Sequence, residues 1–180
     1  MKKTDVPDMF DRISDDSTVL GKIASKIPGF SGYIERSRRR EADQILRNTI
    51  AARLEETRLQ LANVHTELSR DIIKAIDHAE PLGRADTRLM GLIGKIKDAP
   101  QGYAGFFDAI KIQEDELARI YAFDEGMLNH AEDIAAHVAA LQEAAFEDGD
   151  VTGAIRTLDQ ALREANSDFA QRDELLSGVA

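Results

Sequence analysis

Cysteine and tryptophan are both absent from the 180 residues. Without thiols, disulfides, thiolate metal sites and cysteine nucleophiles are excluded. Proline is scarce, with only Pro7, Pro28, Pro81 and Pro100, each expected where a helix begins or ends. No apolar run approaches the ~20 residues needed to span a bilayer. The opening "MKKTDVPDMFDRISDD" has two lysines but no apolar core, so it does not read as a signal peptide. These absences lead us to expect a soluble, cytoplasmic protein, with a peripheral position at a membrane as the variant.

What is present favours helix. Valine is sparse, and Ala, Leu, Glu, Gln, Asp and Arg dominate. Hydrophobic residues make up 43% and charged residues 31%, a globular balance, and the length suits one domain. A short amphipathic helix is expected over Ser17–Lys26, where Val19, Leu20, Ile23 and Ile27 share one face. It closes an N-terminal segment, 1–30, ahead of a helical bundle domain, 31–180. A long helix is expected over Gly32–Ala79, with Leu54, Leu61, Leu68 and Ala75 at seven-residue spacing and Ile72 and Ile76 in the same apolar series. Pro81 and Gly83 are then expected to turn the chain. Further helices are expected over Ala85–Lys97, Gln113–Phe146 and Val151–Leu176, with Asp150 capping the last. No strand pattern is present. The fold class is therefore all-α, an elongated antiparallel helical bundle with a long coiled-coil-like helix.

Seven of the ten aromatics, Phe30, Tyr33, Tyr103, Phe106, Phe107, Tyr121 and Phe123, lie in or beside "IPGFSGY" and "PQGYAGFF". A short third helix would leave residues 98–112 to return the chain to the start of the second helix. The aromatics would then form a plug at one end of the bundle, with glycines permitting close backbone approach. A phosphate-cradling loop is the alternative, but Gly102 and Gly105 lack the Lys-Ser/Thr such a loop needs.

Net charge is −10, unevenly spread. The one dense basic cluster, Arg36, Arg38, Arg39 and Arg40, opens a helix whose dipole it opposes. It is expected to clamp against Glu114, Asp115 and Glu116. The alternative joins these arginines to the Val19–Ile27 helix as an anionic-membrane or acidic-partner site. The acidic C-terminal half argues against nucleic acid. His130, Asp133 and His137 share one helix face and are the only metal candidates. No Glu-x-x-His pair accompanies them, and a solvated face is the expectation. Asp71 and Asp124 fall on seam positions, where a buried carboxylate needs a partner. No nucleophile–base arrangement is present, and no catalytic residue or cofactor is expected.

The stretches "IPGFSGYIERSRRREADQILR" and "GYAGFFDAIKIQEDELARIYAFDEGML" resemble those of an uncharacterised bacterial family of all-helical, coiled-coil proteins. The likeness implies no activity and so transfers no site residue. The layout is also similar to phage-shock protein A type membrane scaffolds, an amphipathic helix ahead of a long helical hairpin. The expectation is a non-enzymatic scaffold or adaptor acting through self-association or a protein partner. A peripheral membrane protein is the second reading. A metal or small-ligand binding bundle is the third.

Overall fold

The computed structural model describes residues 17–30, 32, 39–99 and 114–172. Five helices account for nearly all of them: α1 (Ser17–Lys26), α2 (Arg39–Leu68), α3 (Ile72–Asp98), α4 (Glu114–Phe146) and α5 (Val151–Ala170). No strand occurs among the described residues.

The long second helix expected from the heptads is in fact two. The chain breaks at 69–71 because Asp71 takes an extended conformation and caps α3. Its carboxylate accepts from the amides of Ile73 at 2.8 Å and Lys74 at 3.2 Å. Two otherwise orphaned donors are satisfied at the new helix start. Asp71 is thus exposed and belongs to a turn, not to a buried seam. Asp71→Ala should cost about 0.5–2 kcal/mol of stability. The midpoint of urea unfolding checks this, and an unchanged midpoint would mean the cap is dispensable.

Pro81 does not turn the chain either; α3 runs through it. A proline removes one helical hydrogen bond. Leu82, Ala85, Leu89 and Leu92 follow directly, each at most 2% exposed, and their burial holds the helix continuous. The third helix is therefore 27 residues long rather than the short piece expected.

The second turn matches expectation more closely. The Asp150 carboxylate accepts from the Gly153 amide at 2.8 Å, capping α5. The Gly149 amide returns to the Ala144 carbonyl at 2.8 Å, closing α4 as a Schellman turn. The left-handed position is taken by Asp148, at φ 54°, and not by the glycine. α5 ends at Ala170, where the Gln171 amide caps it on the carbonyls of Asp168 and Phe169, short of the expected Leu176.

Four helices form a square in the order α2, α3, α5, α4. Pairing of Arg88 with Asp159 and of Lys95 with Asn166 runs α3 and α5 in the same direction. The side-by-side placement of Asp43 with Asp124, and of Arg53 with Glu132, makes α2 and α4 parallel as well. The molecule is thus two antiparallel hairpins, α2–α3 and α4–α5, laid side by side with both turns at the same end. Lys74 contacts Asp148 across those turns. The core is a single apolar seam through the square, with Leu54, Leu61, Leu89, Leu128, Ile134 and Leu158 all but inaccessible.

α1 packs on α4. Ile23 and Ile27 are completely buried in the same core as the bundle, and Leu20 packs against it. Lys22 and Lys26 pair with Glu125 and Glu132 of α4 at 3.1 and 2.8 Å. Arg53 of α2 donates to the Lys26 carbonyl at 2.6 Å, tying down the end of α1.

Candidate functional site

The starts of α2 and α4 do lie at one end of the bundle, as the aromatic pattern implied. The reason differs, because α3 itself spans the full length. Tyr121 is buried there, Phe30 is buried after the end of α1, and Phe123 meets Phe169 with ring centroids 6.4 Å apart. The Tyr121 hydroxyl lies against Gly32, whose φ is +77° and where a Cβ would come within 2.8 Å of that oxygen. Glycine is needed there on both counts. Tyr33, Tyr103, Phe106 and Phe107 lie outside the described residues, as do Arg36 and Arg38.

What the sequence reading overlooked is a charged core at this same end. Arg39, Asp43 and Arg47 step along α2 four residues apart, beside the apolar series Ala42, Leu46 and Ile50. All three are at most 6% exposed. Asp43 accepts from Arg47 Nε at 2.9 Å through one carboxylate oxygen. Through the other it accepts from Arg172, beyond the end of α5, at 2.7 Å. The Arg47 guanidinium also donates to the carbonyls of Ile96 and Ala99 at 3.2 and 3.0 Å, closing the C-terminus of α3. A cation here meets the negative end of the helix dipole. Asp124, 4% exposed, joins the wall of the same cluster and so keeps its expected seam position. The space left among these groups is about 10 Å³, room for no more than about one water. Among the described residues, this end is a filled electrostatic joint.

The remaining candidates are dispersed. Arg39 is buried while Arg40 is exposed, and the side chains of Glu114–Glu116 lie outside the description, as does that of Val19. His130 contacts Asp168 of α5 through Nε2 at 2.8 Å. Asp133 is exposed and His137 half-buried. Among the described residues no group of three or more His, Asp or Glu is placed to hold a metal ion. None of their helices is long and apolar enough to cross a membrane. At the opposite end, Asp148 holds the Lys74 ammonium above its ordinary range by hydrogen bonding, and Lys74 holds Asp148 below the carboxylate range. The contribution of Asp148 is present above the ordinary carboxylate range and fades as pH falls through its lowered value. That of Lys74 fades as pH rises through its raised value.

The unsatisfied feature is the outer face of α3. Ile72 and Ile76, which the apolar series assigned to the seam, are instead 76% and 74% exposed, and Ile73 beside them is 67% exposed. Their helix starts afresh at Asp71 with a different phase, which turns them outward. Met90 continues the face at 51% exposed. Between them lie Ala79, Gly83 and Thr87, with Gly94 beyond Met90, small residues with no charge. Thr87 turns its hydroxyl back to the Gly83 carbonyl at 2.8 Å, so this position too presents little polarity. A cleft of about 480 Å³ borders this ridge on the α2 side, floored by Leu61 and Leu82 and rimmed by exposed Leu59. There Arg58 holds Asp86 in a two-pronged contact at 2.7 and 3.0 Å. That hydrogen bond raises the guanidinium's pKa.

No family model, curated protein or solved structure matches this chain.

Proposed function

We propose that the protein is a non-enzymatic helical scaffold that works by binding another protein surface, a copy of itself or a partner. The observation that supports this is the exposed isoleucine cluster Ile72, Ile73 and Ile76, continued by Met90 along one helix face. Water-facing isoleucines scattered singly need no explanation, but several on one face mark an interaction surface. The buried charges Asp43, Arg47 and Arg172 are paired with one another.

A photo-crosslinking residue at position 73, introduced in the native cell, is expected to yield protein adducts. The same residue at Arg156, on the exposed polar face of α5, should yield few. Absence of protein adducts from position 73 would remove this reading. Membrane attachment through Val19–Ile27 would instead require α1 to leave the bundle and expose Ile23 and Ile27. Anionic vesicles should therefore fail to sediment the folded protein.

A further inference from the structure

We infer that the partner for α3 is a second copy of this chain, lying antiparallel against it with the two helices crossing on a twofold axis at Gly83. This rests on the scaffold reading above and names its partner. An isologous contact requires a surface complementary to itself under a half-turn. The exposed ridge has that property. From Gly83 toward the N-terminus the outward positions step by four, three and four residues to Ala79, Ile76 and Ile72. Toward the C-terminus they step by four, three and four to Thr87, Met90 and Gly94. An antiparallel partner therefore sets Ile72 over Gly94 of the second copy, Ile76 over Met90, and Ala79 over Thr87.

The sizes fit as well as the spacing. The largest outward side chains of one half meet glycine and a flexible methionine in the other, and glycine meets glycine at the crossing. Small residues let two helix backbones approach closely. Within the single chain these glycines have no such use. A Cβ added at Gly83, Gly91 or Gly94 would meet nothing within 4 Å. Glycine inside a helix is unfavourable relative to alanine, so three of them without an internal reason point to an external one.

Charge gives the same orientation. Along the flank nearer α5, the N-terminal half carries Asp77 and Glu80, and the C-terminal half carries Arg84, Arg88 and Lys95 before it ends on Asp98. An antiparallel pair lays the acidic half of one copy along the basic half of the other. Arg84 already reaches Glu80, and Arg88 reaches Asp159, so the second copy extends existing pairs. The contact line is ~33 Å long at the helical rise of ~1.5 Å per residue. That places the interface at the small end of specific contacts and makes association concentration-dependent.

Because the chain has no cysteine, register can be read by disulfide trapping. Gly83→Cys, at the axis, is expected to give a covalent dimer under mild oxidation, and so is the double variant Ile76→Cys with Met90→Cys. Met90→Cys alone is expected to stay monomeric, since its own counterpart would lie ~21 Å away. In sedimentation equilibrium the parent should show a monomer–dimer equilibrium. Gly83→Ala should shift it toward monomer while raising the melting temperature measured at low concentration, a combination that a purely structural glycine would not produce. Ile76→Glu should abolish the dimer with unchanged circular dichroism. A parent that stays monomeric at every concentration would overturn the inference, as would trapping by Met90→Cys alone or a dimer indifferent to Gly83→Ala. If position 73 still crosslinks to a different protein in the cell, the scaffold reading stands and only the self-pairing falls. Capture of the protein on anionic vesicles in an Ile73-dependent way would overturn both in favour of a lipid surface.

Discussion

Replacing Asp43 with asparagine should destabilise the fold by about 3–5 kcal/mol, read as a lower urea midpoint with little change of slope. The carboxylate bridges Arg47 and Arg172, with side chains of all three 5–7% exposed. Removing its charge leaves two guanidinium groups in a poorly hydrated interior. Arg47 keeps the carbonyls of Ile96 and Ala99 as acceptors, which moderates its part of the loss. A double-mutant cycle with Arg172→Met separates the pair from its surroundings. Most of the Asp43→Asn cost should vanish in the Arg172→Met background, since one stranded cation is gone. If the two effects simply add, Asp43 and Arg172 do not depend on each other and the joint is not a unit.

The second large effect is expected at α1. Ile27→Ala should cost about 2–5 kcal/mol, the usual range for emptying a fully buried isoleucine site. Ile27 has no accessible surface, and its neighbours include core residues of the bundle. This magnitude follows only if α1 unfolds together with the other helices. A loss of a few tenths would mean that α1 releases on its own before the bundle melts. Hydrogen exchange distinguishes the two, because an independently opening α1 would lose amide protection far ahead of α2 and α4.

Much of the architecture was legible in the amino-acid pattern. Three-to-four periodicity located α1, α4 and the start of α5 to within about a residue or two, the normal uncertainty of helix boundaries, but carried α5 past its end at Ala170. It failed at Asp71 because the heptad Leu54, Leu61, Leu68, Ala75 continues in register across a real break. Periodicity reports which residues are apolar, whereas a cap acts through one side chain and two backbone amides. The signal was there in "SRD", polar residues of a kind that favours turns and caps over a seam. The proline expectation failed for the converse reason. A local preference against helix at Pro81 was outweighed by the burial of Leu82, Ala85 and Leu89, which no local rule includes.

The charged joint was harder to see. The Arg36–Arg40 run drew attention by density, but density along the chain says little about burial. Asp43 and Arg47 announce themselves only as an acid and a base one helical turn apart, and that pattern is common on solvated faces. Their third member, Arg172, is 129 residues away from Asp43 and belongs to the joint through the packing of the two hairpins alone. The isoleucines of α3 were misassigned together with the helix they open. Once the cap at Asp71 resets the phase, their outward direction follows from α3's buried residues Leu82, Ala85, Leu89, Leu92 and Ile96.

That long-range contact has a kinetic meaning. Each hairpin is closed by a turn of a few residues, so α2 with α3, and α4 with α5, can pair from sequence neighbours alone. Asp43 meets Arg172 only when the first hairpin and the far end of the second have arrived, late in the order that loop-closure entropy dictates. Interactions absent from the transition state govern how fast a folded chain opens, not how fast it forms. Asp43→Asn should therefore leave the refolding rate close to that of the parent and put nearly all of its effect into faster unfolding. The joint then acts as a latch on the lifetime of the assembled bundle.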